Sequence, residues 1–523
     1  MKTGIRFYAL RHGESEANEA GVISSGADAR IEHCLTDKGI AQVELAAKAF
    51  LEILCSDDCD SCYVVASPLL RAQHTADVFC DGISSSSKVR LIRSKEENLR
   101  ERYFGDLDGT SNSNYEKVWK CDSASATHCE YGVESVCSVF RRASGVVRDM
   151  QRRCADADNA IVVLIAHGDT LQILQTYFDF VDPRDHRKLP HLETATLRAL
   201  SFTRPPRVSP PEKWITRLSE AQIAELDPDV KVEVESSPSA SSWESQTVES
   251  LRKQCFDGLN TLSKHPKAVE YASKVRSVVK GECISSDGHP IALRIFRPCD
   301  VPDTQVLPLL VFFHGGGHCI GGPVECFDYA CQRLCAQIGC VVVSVDYRLA
   351  PEFPFPTGVD DCWHSFKHAV SNASKWGADA QRVCVAGDSA GGNLSAVISL
   401  LARDAGIALK LQVLLCPVVD WERVDTESYA EMGAAVFACD AAHLAWYRKR
   451  YLRDRQSRRD VRASPIFSSK LSEVANCIII NAYYDPLRSE GEGYAVRIAT
   501  ENASLLRCTT YKGVMHDFYL RFH

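Results

Sequence analysis

The sequence predicts two α/β domains in one chain, and three observations carry that prediction. At 523 residues the chain is too long for one ordinary domain. Short apolar runs of strand length alternate with helix-period stretches in both halves of the chain. Between the halves lies a stretch rich in proline and serine. The expected division is 1–204, a connector over 205–245, and 246–523.

In the first half, Ile5–Leu10, Tyr63–Ala66, Val89–Ile92 and Ala160–Ala166 read as buried strands. Thr36–Leu54 reads as a helix, with apolar residues at Ile40, Val43, Ala47, Phe50 and Leu54. The connector holds Pro205, Pro206, Pro210 and Pro211, an acidic helical piece at Leu218–Leu226, and a Ser/Pro run. In the second half the strands are expected at Val275–Cys283, Ile291–Arg297, Pro308–Phe313, Cys340–Val345, Arg382–Ala386, Leu411–Leu415, Cys477–Ala482 and Leu505–Lys512. Helical patterns at 246–263 and 427–452 fall outside the alternation, as insertions over an active site do.

Composition narrows the function. A net charge of −8 leaves no basic footprint for nucleic acid. No apolar run is long enough to cross a bilayer, and the N-terminal apolar run is too short for a signal peptide, so a cytoplasmic protein is expected. The 23 cysteines are spread along the chain and read as free thiols in a reducing compartment. Cys59 and Cys62 form a CxxC without a second ligand pair, so a loop before Tyr63–Ser67 is expected, and no metal or cofactor. Nothing in the sequence fixes an oligomeric state.

The strongest motif is Arg382–Asn393, RVCVAGDSAGGN. A β-branched run enters Gly-x-Ser-x-Gly, and a small-residue helix follows. Such a turn is tight enough to demand glycine at Gly387 and Gly391, and it lifts Ser389 clear of the sheet. Upstream, Phe313-His314-Gly315-Gly316-Gly317 ends a strand in bare backbone N–H groups. Gly315, Gly316 and the N–H of Ala390 would stabilise an oxyanion. Downstream, Asp485 follows one strand and His516 the next, in the chain order a triad needs. Ser389 would attack a carbonyl, His516 move the proton, and Asp485 orient the imidazole. Asp388, His314 and His318 are weaker candidates, by direction or by chain order.

The first half offers different chemistry. His12 and Arg11 stand at a strand end in LRHGESEAN, and Ser67–Thr75 (SPLLRAQHT), Leu99–Gly109 (LRERYFGDLDG) and Ala166-His167-Gly168 follow. A neutral imidazole at His12 could attack phosphorus, Arg11, Arg71 and His167 could neutralise the phosphoryl oxygens, and Glu101 is the candidate acid for the leaving alkoxide. Asn18 could add a neutral hydrogen bond to the phosphate.

Residues 5 to about 200 resemble the histidine phosphatase superfamily, with its phosphoglycerate-mutase-like α/β/α sandwich, because four motifs recur in the family order. The resemblance implies His12 as nucleophile, Glu101 as proton donor, and Arg11, Asn18, Arg71 and His167 as the phosphate pocket. The family's mutases carry a basic insertion for a second phosphate. Here the segment after Gly109 has few cations, which favours a phosphatase.

Residues 246–523 resemble the hormone-sensitive-lipase-like branch of the α/β hydrolases through HGGG, Asp346–Pro356 (DYRLAPEFPFP), GDSAGG and DPLRSEG. That resemblance implies hydrolysis of small carboxylic esters beneath a helical cap, with Asp346–Pro356 supporting the oxyanion loop. Two departures stand out. The family follows its histidine with Gly-Phe, whereas this chain has Asp517-Phe518. A closing helix is also usual, whereas the sequence stops at His523, so a weakly held His516 is expected. The expected function is a bifunctional hydrolase of phosphate esters and acyl esters. The alternative is that one domain is catalytic and the other a binding or scaffold module.

Overall fold

Contacts within the chain divide it into two units, 1–203 and 204–523. The computed structural model describes residues 5–26, 28–56, 59, 61–84, 89–154, 159–202, 220–228, 230–231, 246–276, 278–432, 439–502 and 504–521.

The first unit is built on β1 (Arg6–Arg11), β2 (Ser61–Ala66), β3 (Arg90–Lys95), β4 (Ala160–Ala166) and β5 (Leu197–Leu200), in the order β3-β2-β4-β1-β5. The first four are parallel, and β5 runs antiparallel to β1. Every residue of β4, AIVVLIA, is buried, because helices cover both faces of the sheet. Ile161, Val163 and Ile165 pack with Phe50 and Phe79 from helices Asp37–Ser56 and Leu70–Ser84. On the other face, Phe7 meets Phe178 of helix Gly168–Phe178 at 5.9 Å. Each fully buried side chain of this size contributes about 1.5–3 kcal/mol.

The sequence did not reveal β5. At four residues, with only Leu200 buried, its apolar signal is too short to stand out. Cys62 is also placed differently from expectation: it sits inside β2 with its thiol in the core, where alternation buries it. Cys59 Sγ lies 3.3 Å from Ser61 O. Among the described residues the cysteines are free thiols.

The second unit carries β6 (Val279–Ile284), β7 (Pro290–Phe296), β8 (Leu307–Phe313), β9 (Val341–Val345), β10 (Ala378–Asp388), β11 (Leu411–Leu415), β12 (Asn476–Tyr484) and β13 (Leu505–Met515). Their order is β13-β12-β11-β10-β8-β9-β7-β6. Strand β7 pairs antiparallel with both neighbours, and the remaining pairs are parallel. The carboxyl ends of β8, β10, β11, β12 and β13 therefore share one edge, where open α/β sheets bind ligands. Helices Thr357–Asn372 and Ala390–Asp404 cover one face of this sheet, and Asp328–Ile338 covers the other.

Two expected elements change shape. The strand expected from Val275 begins at Val279, and Val275 makes only an isolated bridge to Pro298. The pattern at 427–452 resolves into helices Glu427–Met432 and Ala441–Tyr451. Most of the expected connector, including the Ser/Pro run, lies outside the described residues. Its described part holds helix Glu220–Ala224 and packs on the second unit. Leu226 and Val230 are buried with Met432, Tyr484 and Met515, and Asp227 N–H donates to Gly513 O at 2.8 Å. Among the described residues no helix is long and apolar enough to cross a membrane.

Candidate active sites

In the first unit, His12, Ser67 and His167 each directly follow a strand, β1, β2 and β4, and those strands are neighbours. The fold thus brings three distant segments to one sheet edge. The rings of His12 and His167 face each other, with centroids 5.0 Å apart. His12 Nδ1 lies 2.8 Å from Gly13 O. A carbonyl only accepts, so Nδ1 carries the proton and Nε2 presents its lone pair. Arg71 Nε donates to that Nε2 at 3.2 Å, and Arg71 Nη2 is tied to Ser24 O at 2.7 Å. Ser67 Oγ lies 2.7 Å from His167 Nε2. Among the described residues, two buried atoms here have no hydrogen-bond partner, His167 Nδ1 and Arg11 Nε. Buried polar atoms are normally satisfied, so a pocket that leaves two of them open suits an anion.

The electrostatics separate the two titrating groups. Burial first, then Arg71 and Arg11, holds His12 well below the ordinary imidazole range, so it stays neutral. Burial, then Asp169, pushes Glu101 above the ordinary carboxyl range. Opposed shifts of this kind suit a nucleophile and a general acid. Glu101 Oε1 accepts from Arg102 N–H at 2.9 Å and Thr170 N–H at 3.2 Å, and Thr170 Oγ1 lies 3.2 Å away. Behind it, the fully buried Arg102 is paired with Asp122 at 2.7 Å and Asp169 at 3.2 Å.

Arg11, His12, Arg71, Glu101 and His167 thus belong to one neighbourhood. Asn18 is at its margin. It lies exposed on helix Glu16–Glu19, and its Oδ1 accepts from Ser15 N–H at 3.1 Å. Only its amide nitrogen is left to meet a ligand. Sequence reasoning assigned no role to Ser67, Thr170 or Ser24. Ser67 stands in the quoted SPLLRAQHT motif at a strand end, a signal that was available. Thr170 and Ser24 carry no motif signal.

In the second unit Ser389 sits at φ 52°, ψ −115°, between β10 and helix Ala390–Asp404. A β-carbon on Gly391 would lie 1.9 Å from Phe313 O, and one on Gly387 would lie 2.4 Å from the Gly391 backbone. The backbone packing therefore admits only glycine at both positions, and Ser389 is held in a strained turn. His516 Nδ1 donates to Asp485 Oδ2 at 2.6 Å, and Leu487 N–H fixes the other carboxylate oxygen at 2.8 Å. Ser389, His516, Gly315 and Gly316 all line one cavity of about 470 Å³. Ala390, the expected third oxyanion donor, is the first residue of the helix after Ser389, so its N–H is free of intrahelical bonds.

The rest of the cavity wall comes from the inserted helices. Leu251, Cys255 and Leu259 project from Val248–Leu262, and Leu444 and Tyr447 from Ala441–Tyr451. The Tyr447 ring packs against the α-carbon of Gly317, where a β-carbon would sit 2.3 Å from it. Asp388 shares the cavity wall with Ser389 and His516; its carboxyl packs against Gly315, and burial, then Asp517, pushes it up to about 8. His314 stacks on Tyr347 at 4.4 Å and His318 on Tyr451 at 3.8 Å. Burial lowers them to about 4 and about 3, so both are neutral packing groups. Asp346–Pro356 does brace the oxyanion loop, through Tyr347 Oη to His314 O at 2.7 Å and Ala350 N–H to His318 O at 2.8 Å.

The expectation of a weakly held His516 is not met. Tyr329 Oη donates to Leu520 O at 3.1 Å and Arg333 Nη1 to Tyr519 O at 3.0 Å, pinning the loop to helix Asp328–Ile338. Cys416, Asp485 and His516 place ligand-type atoms within 4.8 Å of one another, but two of these are already joined in the 2.6 Å hydrogen bond.

Comparison with known proteins finds a family for each half of the chain. Residues 7–208 match the histidine phosphatase superfamily (branch 1), and residues 310–520 match the alpha/beta hydrolase fold. The chain is similar to the carboxylic ester hydrolase LipN of Mycobacterium tuberculosis, at 42% identity over 39% of this chain and 55% of LipN. It is 32% identical to an ethyl acetate hydrolase of Pseudomonas putida, over 45% of this chain and 76% of that protein. An arylesterase of Saccharolobus solfataricus is 36% identical over 45% of this chain and 75% of its own length. Among solved structures, the hyperthermophilic esterase of the archaeon Pyrobaculum calidifontis superposes with a TM-score of 0.51 at 36% identity. That match covers 56% of this chain and 91% of the esterase.

Proposed function

We infer, for a chain that belongs to the α/β hydrolase family and carries a histidine phosphatase superfamily domain ahead of it, two separate hydrolytic activities. The second unit hydrolyses small carboxylic esters. The observation that carries this reading is the 2.6 Å Asp485–His516 hydrogen bond in the cavity that also holds the strained Ser389. Ser389 Oγ attacks the carbonyl carbon while His516 Nε2 takes its proton. The N–H groups of Gly315, Gly316 and Ala390 hold the oxyanion. Collapse expels the alcohol, which takes the proton from His516, and water then releases the acid by the same route.

The first unit hydrolyses phosphate monoesters. His12 Nε2 attacks phosphorus, Arg71 turns from that nitrogen to a phosphoryl oxygen, and Arg11 and His167 hold the other oxygens. Glu101 protonates the departing alkoxide, and water cleaves the phosphohistidine.

The test is a crossed pair of variants in the full chain. Ser389→Ala should abolish hydrolysis of p-nitrophenyl acetate and leave p-nitrophenyl phosphate turnover intact, and His12→Ala should do the reverse. Wild-type protein that hydrolyses only one substrate would make the other unit a binding or scaffold module. Loss of both activities in either variant would refute independent sites.

A further inference from the structure

We propose that Asp517 is a second carboxylate partner of the catalytic imidazole, lying on the Nε2 side of His516 and so setting the pH at which the esterase switches on. The proposal rests on the triad reading above. Asp517 lines the same cavity as Ser389, and its Oδ1 lies 3.4 Å from His516 Nε2. That nitrogen is the one that must receive the Ser389 proton. Asp485 already occupies Nδ1 at 2.6 Å, so the ring stands between two carboxylates. Among the described residues Asp517 Oδ1 makes no hydrogen bond, so its contact with the ring is an ion-pair approach; with a carboxylate on each side, the form the site favours is the doubly protonated imidazolium, which cannot act as a base.

The backbone shows that Asp517 is not at this position for comfort. It adopts φ 61°, the left-handed region that glycine enters freely and a β-substituted residue enters at a cost. A carboxylate therefore stands where glycine would be less strained, half-buried and within 3.4 Å of the base.

The remaining groups around the ring do not replace it. Cys416 comes from the end of β11, Cys439 from ahead of helix Ala441–Tyr451, Asp388 from the end of β10, and Tyr519 from two residues beyond Asp517. Burial raises both thiols and the Tyr519 phenol, and Asp388 is pushed up to about 8, so these four are neutral near pH 7. Burial alone would lower His516. Asp485, then Asp517, outweighs it and holds the imidazole well above its ordinary value. Turnover requires His516 to release its Nε2 proton to solvent, after which the same nitrogen takes the proton of Ser389.

The experiment compares wild-type full chain with Asp517→Asn and Asp517→Gly. It measures kcat/KM for p-nitrophenyl acetate, and the rate of Ser389 labelling by a fluorophosphonate, over the accessible pH range. Removing a charge this close to the base should move the acid limb of both profiles down by about one pH unit. Below the wild-type limb the variants should then be about tenfold faster. Asn tests the charge at nearly constant shape. Gly, which suits the positive φ, carries the test if Asn fails to fold. An acid limb that stays put in the folded variants, with wild type active, overturns the role of Asp517 alone. Wild-type protein that neither hydrolyses the ester nor labels at any pH overturns the triad reading, and the role of Asp517 with it.

Discussion

Replacing Glu101 with glutamine isolates proton donation from phosphate binding, because the structure predicts which contacts survive. The bonds that hold the Glu101 carboxyl all fall on Oε1, from Arg102 N–H and Thr170 N–H with the Thr170 hydroxyl close by. A glutamine keeps Oε1 among the same donors and loses only the ability to deliver a proton. The wild-type carboxyl is suited to deliver one, since burial and Asp169 hold it above the ordinary carboxyl range. Positioned general acids contribute about 10²- to 10⁴-fold, or about 3–5 kcal/mol of barrier. That loss should fall on an alkyl phosphate, whose alkoxide cannot depart unprotonated. A p-nitrophenyl phosphate, whose phenolate leaves without a proton, should lose less than about tenfold. The assay is steady-state kcat on both substrates, with thermal unfolding confirming an intact fold. Equal losses on the two esters, or an alkyl phosphate rate within about threefold of wild type, would refute Glu101 as the donor.

Two further outcomes follow from the geometry. Gly391→Ala puts a β-carbon 1.9 Å from Phe313 O, about 1.5 Å short of ordinary contact, and a backbone carbonyl in β8 cannot swing aside. The helix-propensity gain of about 1 kcal/mol is outweighed by overpacking of about 1–3 kcal/mol. A shift of about 1 Å at Ser389 should cost about 10²-fold in ester hydrolysis; a stable and fully active variant would contradict the elbow. The second outcome concerns pH. His167 is held well below the ordinary imidazole value by burial, Arg71 and His12. The unfolded chain then binds a proton below about pH 6.5 that the folded state excludes, so its stability contribution is present above that pH and is lost as pH falls. Hydrogen exchange of the first unit should show His167→Gln losing about 1.4 kcal/mol per pH unit less than wild type over that window. Identical slopes would show that His167 is not held neutral.

The sequence by itself determined what depends on local spacing and on chain order. The RVCVAGDSAGGN turn was legible because only glycine fits at Gly387 and Gly391, a constraint written in five consecutive positions of backbone. The strand runs were legible because β4 and its like are buried on both faces and stay apolar throughout. What only the tertiary structure decided was which side chains meet across the sheet edge, and in which protonation state. Ser67 and Thr170 reach His167 and Glu101 from 100 and 69 residues away, and no local pattern records that. Asp517 reads in the sequence as a departure from Gly-Phe. The letters do not record its left-handed backbone or its 3.4 Å approach to His516 Nε2, and the Asp485 contact on the ring's other nitrogen exists only once β13 is laid beside β12. Proton affinity follows from burial and neighbouring charge, which are properties of the packed chain.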